Sequence, residues 1–263
     1  MSWVAGRAIG RRVFLLQAGR GVLGVAVLGL AACSSGDEAG DAASPQPSAS
    51  APETTDAATP ASSSPAAATE LAWSRVDLGF VSAYVLVRGN EAAVVDTGVG
   101  GSADQIGAVL DDAGSGWAGV RHVVLTHKHP DHAGSAGDVA DRAGGATLYA
   151  GGPDLDAIDA PRLRAVADGD EVFGLEIVST PGHTAGHVAV FDADTAVLVA
   201  GDALNNSGGL TGSNPQFTED EAAAAASVRK LADLRPRVIL VGHGPPVTRS
   251  AAAELQQLAS SLE

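Results

Sequence analysis

Between residues 34 and 70 the chain has no valine, leucine, isoleucine, methionine or aromatic residue. Such a stretch buries too little apolar surface to offset the entropy of ordering it, so no globular core is expected there. As a flexible coil it spans on the order of 30 Å and reads as a tether. The fold must then come from residues 71–263, a length suited to one domain with a real core.

Residues 1–32 read as an export leader. Arg7, Arg11 and Arg12 give it a positive start, and "RRVFLLQAG" sets twin arginines before an apolar stretch. The apolar run at 22–32 is shorter than the roughly 20 residues a spanning helix needs. It ends in "LAAC", whose Cys33 is the only cysteine of the chain. That tetrapeptide resembles a bacterial lipobox. "GRRVFLL" resembles a twin-arginine export motif, with Gly10 and Leu16 in place of its commoner residues. These resemblances imply cleavage before Cys33, a lipid on that cysteine, and an extracytoplasmic domain attached to the membrane rather than spanning it. With one cysteine no intramolecular disulfide can form, so the domain is held by its core and by any metal. The whole chain carries a net charge of −15, and loss of a leader with four arginines and no acids takes it to −19. A surface of that sign excludes nucleic acid as the expected partner.

Within 71–263, short apolar strands alternate with helical stretches. "VSAYVLVRGNEAAVVDTG" reads as a hairpin with strands over 81–87 and 92–95 and a turn at Gly89 and Asn90. Ser102 with Gln105, and Thr218 with Glu221, have the spacing of capping boxes, the first opening a helix to about Asp112 and the second opening "EAAAAASVRKLADL". "VRHVVLTH", "ATLYAG", "EVFGLEIVST", "HVAVFD", "AVLVAGD" and "RVILVGHG" read as strands, a helix follows Asp131, and "RSAAAELQQLASSL" reads as a closing helix. Strand hairpins interleaved with helices imply an α/β layered domain.

The chemistry-bearing residues fall at strand ends, where sites collect in α/β proteins. Three of the chain's seven histidines lie within six residues of "LTHKHPDHAG": His127, His129 and His132, with Asp131 between the last two. Imidazole and carboxylate are good ligands for zinc and similar divalent metals. In an extended loop His127 and His129 point the same way and can share one metal, while Asp131 and His132 fall at a turn and can address a second. "TPGHTAGH" adds His183 and His187, "AGD" adds Asp202, and "GHG" adds His243 with glycine on either side. His122 belongs to no motif and reads as a strand or surface histidine.

In this order, "VVDTG", "THKHPDH", "TPGHTAGH", "GD" and "GHG" resemble the metallo-β-lactamase fold superfamily over nearly all of 71–263. The resemblance implies a four-layer αββα sandwich with a dinuclear centre at one edge of two sheets. It implies one metal on His127, His129 and His183, a second on Asp131, His132 and His243, and Asp202 bridging them. Asp96 would brace the site, and His187 would be a structural or supporting group. The implied cofactor is two divalent ions, zinc first, with iron and manganese as alternatives. The implied reaction is hydrolysis of an ester, thioester, lactone or lactam bond of a small molecule by a metal-bridging hydroxide, with Asp131 orienting the nucleophile or carrying its proton.

Asp202 stands where one type of zinc β-lactamase has a cysteine, and His129 stands where flavodiiron reductases have glutamate. The pattern is most similar to glyoxalase II-type thioesterases and lactonases. No basic counterpart to the glutathione-holding extension of glyoxalase II follows His243, where Arg249 is the one arginine, so the thiol carrier stays open. Two other readings stand beside the hydrolase: a mononuclear iron persulfide dioxygenase, and a binding lipoprotein without catalysis. The segments 151–164 and 205–217 are expected to line the pocket; neither names the substrate, and the oligomeric state is not read from the sequence.

Overall fold

A computed structural model describes residues 70–262. The leader, Cys33 and the tether lie outside the described residues. The first sheet has six strands in the order β1 (Ala72–Asp77), β2 (Ser82–Arg88), β3 (Glu91–Val95), β4 (Val120–Val124), β5 (Thr147–Gly151) and β6 (Leu163–Val166). Its first three strands are antiparallel, and from β3 to β6 the pairing is parallel. The second sheet comprises β7 (Glu171–Val172), β8 (Leu175–Ser179), β9 (Val188–Asp192) and β10 (Val197–Gly201). β11 (Leu204–Asn205) and β12 (Thr211–Gly212) form a separate small hairpin, and β13 (Val238–Val241) closes the second sheet beside β10. The helices are α1 (Ala103–Asp112), α2 (Gly116–Gly119), α3 (Pro130–Ala133), α4 (Ala136–Arg142), α5 (Glu221–Asp233) and α6 (Ala251–Ser261).

Period-two alternation sorts the side chains into three apolar layers. Ala83, Val85, Ala92, Val94 and Val123 face outward from the first sheet onto Ile106 and Leu110 of α1 and Val139 and Ala140 of α4. Their neighbours Tyr84, Leu86, Ala93, Val95 and Val124 face inward, against Ile177, Val188, Val190, Val199 and Leu240 of the second sheet. Val178, Ala189, Leu198 and Ile239 face out of the second sheet onto Val228 and Leu231 of α5 and Leu255 of α6. Helix, sheet, sheet, helix is the αββα sandwich. Strands buried on both faces read as unbroken apolar runs, as "VVL", "VLVA" and "VILV" do.

Several local expectations are corrected. "EVFGLEIVST" is not one strand, because Phe173 and Gly174 both take positive φ and turn it into the β7–β8 hairpin. Ser102 makes no side-chain cap; its hydroxyl donates to the Val99 carbonyl, although α1 begins where the motif placed it. The cap of α5 is Asp220, whose carboxylate accepts from the Ala223 amide, while Thr218 donates to the Asn214 carbonyl. β1 and β6 were not anticipated. β6 begins at the end of the 151–164 segment expected to be a pocket loop, and the 205–217 segment contributes to the small β11–β12 hairpin.

Candidate metal centre

Five chain segments deliver donors to one rim of the sandwich. Asp96 follows β3, the 125–132 loop follows β4, His183 sits between β8 and β9, Asp202 follows β10, and His243 follows β13. Asp96 takes a left-handed φ of 61°, a conformation a short polar side chain tolerates better than most. Its carboxylate accepts from the Thr126 amide at 2.7 Å and from the Thr126 hydroxyl at 2.8 Å. The hydroxyl, having spent its proton on Asp96, is left to accept from His127 Nδ1 at 3.0 Å.

Four imidazoles share one arrangement. His127 Nδ1 is held by Thr126 Oγ1, His132 Nδ1 by Asp96 Oδ2 at 2.8 Å, His183 Nδ1 by Ser213 Oγ at 2.9 Å, and His243 Nδ1 by the Phe80 carbonyl at 2.7 Å. An N–H anchored on that side leaves the Nε2 lone pair free, and in all four residues Nε2 is the atom turned to the others. His129 instead offers Nδ1, which lies 3.1 Å from His127 Nε2 and 3.0 Å from His183 Nε2. The donors gather in three overlapping groups, each within 4.8 Å: His127, His129 and His183; His127, His132 and Asp202; and Asp131, His132 and His243. Asp202 stands among them, with Oδ1 3.3 Å from His132 Nε2 and Oδ2 3.5 Å and 3.2 Å from the Nε2 atoms of His183 and His243.

The residues fit divalent ions. His132 Nε2 and Asp202 Oδ1 are buried without an aligned hydrogen-bond partner, a costly condition for polar atoms unless something else engages them. Gly242 keeps the space clear: a Cβ there would lie 2.2 Å from Asp202 Oδ1 and 2.6 Å from His132 Cε1. Burial holds the His127 imidazole well below its ordinary proton affinity and pushes His183 down to about 4, so their lone pairs stay available at neutral pH. Burial disfavours the His132 cation too, but the Asp202 and Asp96 carboxylates outweigh it and raise His132 well above the ordinary value. Burial opposes the Asp202 charge, yet the surrounding histidines, His132 foremost, hold its carboxyl well below the usual range.

His187 is placed differently. Its Nδ1 lies 2.7 Å from Thr180 Oγ1, and its Nε2 accepts from the Asp202 amide at 3.1 Å, so both nitrogens are engaged within the protein. Burial pushes it down to about 3. The unfolded chain takes up a proton near pH 6.5 that this folded imidazole refuses until about pH 3. Metal-free stability must then fall as pH drops from 6.5 toward 4, by about 3 kcal/mol from His187 alone. His132 adds no slope in that window, because its raised pKa matters only above 6.5, and Asp202 acts only below 3.8. Chemical denaturation of the metal-free protein at a series of pH values checks this; in His187→Gln the slope should be shallower by that amount.

His122 packs between the rings of Tyr149 and Phe173, at 5.9 Å and 5.7 Å, away from the donors. Thr126, Ser213 and the Phe80 carbonyl were not singled out from the sequence. Thr126 sat inside the quoted histidine motif and Ser213 inside an expected pocket loop, but a backbone carbonyl carries no sequence signal.

A family model described as the metallo-beta-lactamase superfamily matches residues 76–243. The chain belongs to that superfamily. Members of that superfamily are generally hydrolytic metalloenzymes. Among curated proteins, the chain is 41% identical over 98 residues to the probable metallo-hydrolase YflN of Bacillus subtilis (strain 168), covering 32% of this chain and 37% of that protein. It is 35% identical over 167 residues to a hydroxyacylglutathione hydrolase of Acidiphilium cryptum (strain JF-5), covering 61% and 63%. It thus spans less than two thirds of either relative. Among solved structures, TTHA1623 in a di-iron-bound form superposes with a TM-score of 0.54 at 25% identity, covering 64% of this chain and 89% of that one.

Proposed function

We propose that this chain hydrolyses an ester, thioester, lactone or lactam bond of a small molecule at a centre of two divalent ions. The observation that carries the reading is the shared orientation of four imidazoles, Nδ1 anchored outward and Nε2 inward, around the one carboxylate of Asp202. His127, His129 and His183 would hold one ion, Asp131, His132 and His243 the other, and Asp202 both. The di-iron form of TTHA1623 supports two ions in a related fold, and the hydroxyacylglutathione hydrolase supports a thioester among the candidate bonds. Zinc is the first expectation for this donor set, with iron and manganese also suited to it.

Divalent ions held by these residues would supply a water of lowered pKa and polarise the substrate carbonyl. The protein's part is to place the reacting groups. Asp131, a quarter exposed with Oδ2 3.5 Å from His243 Nε2, is the carboxylate at the mouth that can orient an attacking water and take its proton. The Asp96–Thr126–His127 and Asp96–His132 chains fix two ligands through one buried carboxylate, so the geometry is set before substrate arrives. Phe80 presents a ring 65% exposed and stacked on His243 at 6.3 Å, an apolar wall beside the centre.

The same proposal places the domain outside the cytoplasm on a lipid at Cys33, resting on the leader's sequence. Among the described residues no helix is long and apolar enough to cross a membrane. Elemental analysis of the purified chain, run beside chromogenic lactone, thioester and β-lactam substrates, tests the function. About two metals per chain with turnover of one substrate class is the expected result. One tightly held iron with persulfide-driven oxygen consumption and no hydrolysis would replace the reading with a dioxygenase, and absence of metal after loading would leave a binding protein.

A further inference from the structure

Asp154 is a fully buried carboxylate that the chemistry above does not use. It lies on a 3-10 turn (Gly152–Ala157) directly after β5. Oδ2 accepts from the Lys128 amide at 3.0 Å and from the Thr184 hydroxyl at 2.6 Å, and Oδ1 accepts from the Gly186 amide at 3.0 Å. The Lys128 ammonium, paired with Glu219 at 2.7 Å, stands 3.9 Å from Asp154 Oδ1. Lys128 lies between His127 and His129; Thr184 follows His183, and Gly186 precedes His187. One carboxylate therefore ties together the two loops that form the three-histidine group. The approach is built into the backbone: a Cβ on Gly186 would lie 2.6 Å from Asp154 Cγ, and one on Gly151 would lie 2.0 Å from the Gly186 carbonyl oxygen.

We propose that Asp154 is a positioning residue for the metal centre, its buried carboxylate clamping the His127–His129 loop to the His183–His187 loop so that three imidazoles stand preformed around one ion. This rests on the centre proposed above. A carboxylate suits the place because all three partners can donate and only an acceptor with two oxygens can receive them together. Asparagine has the same shape, but its amide NH2 must face at least one backbone N–H, which breaks a bond and sets donor against donor. The loops would then relax apart, and the ion would lose preorganised ligands rather than any ligand atom. Groups that orient metal ligands from behind change metal affinity by about 10–100-fold when removed.

The test is zinc affinity of the full chain at 25 °C, by competition with a chromogenic chelator, together with the rate of zinc loss into excess EDTA. Asp154→Asn should weaken the binding of one zinc, that assigned to the three histidines, by about 10–100-fold and speed its loss. Thr184→Val, which removes one of the three bonds, should move both in the same direction by a smaller factor. Leu231→Ala, deep in the remote α5 layer, should lower the unfolding midpoint yet leave zinc affinity within about twofold. Wild-type affinity in Asp154→Asn, or an equal loss in Leu231→Ala, would overturn the clamp. If Asp154→Asn does not fold, unchanged affinity and release in Thr184→Val overturns it instead. A wild-type chain that binds no zinc would refute the centre itself, a different result from a wild type that binds and a variant that binds equally well.

Discussion

Asp202→Ala should take metal content from about two ions per chain to one or fewer and lower turnover by about 10³-fold or more. The loss of transition-state charge stabilisation by metal is worth several kcal/mol, and each 1.36 kcal/mol is tenfold in rate. Among the described residues, Asp202 is the only carboxylate within 3.5 Å of three inward Nε2 atoms, those of His132, His183 and His243. Removing it would delete the proposed shared ligand and the negative charge that lets so many imidazoles face one another. The backbone should stay in place, because the Asp202 amide still donates to His187 Nε2. Asp202→Asn keeps the volume and removes only the charge, so it should fall on the same side. Elemental analysis with turnover of whichever substrate the wild type accepts decides the matter; two ions and unimpaired rates in both variants would remove Asp202 from the centre.

Gly242→Ala should cost about 100-fold in turnover, with the ion assigned to Asp131, His132 and His243 held more weakly, while the domain stays folded. Its φ is not in the left-handed region, so alanine meets no backbone penalty there; the effect is purely steric. The added methyl would press on Asp202 Oδ1 and His132 Cε1 at 2.2 and 2.6 Å. Retreat of the backbone is blocked on both sides, since the Gly242 amide donates to the Gly201 carbonyl at 3.0 Å and its carbonyl accepts from the Ser82 amide at 2.9 Å. The carboxylate and imidazole must therefore move by a large part of an ångström. Isothermal titration with zinc, beside circular dichroism to confirm the fold, measures this; native affinity and rate would show that the cleft has slack the distances do not reveal.

A layered α/β domain and the gathering of polar residues at strand ends were legible in the sequence because both rest on short-range rules, whereas the four-layer sandwich was implied by the resemblance to the superfamily. Nearly unbroken apolar runs such as those of β2 and β9 declare strands buried on both faces, and turns rich in glycine declare where strands stop. Histidines spaced by one residue after a strand declare a shared direction. The errors came where two local solutions compete at similar energy. Ser102 and Thr218 carry hydroxyls that can cap a helix or bond a nearby carbonyl, and the chain used the second option at both. Phe173 reads as a strand residue, yet it turns a hairpin in a left-handed conformation beside Gly174.

By itself the sequence determined which histidines and acids are candidates for the chemistry and roughly which strand each follows, because side-chain type and spacing are written in it directly. Tertiary structure alone decided which nitrogen of each histidine faces inward. That choice depends on an acceptor brought from far along the chain: the Phe80 carbonyl for His243, Asp96 for His132, Ser213 for His183. It also decided that Asp154, an unremarkable acid on a turn, is buried against two loops that lie 26 and 32 residues away in sequence. Hydrogen-bond partners at such separations leave no local pattern; they exist only once packed sheets have brought the rims of separate strands together.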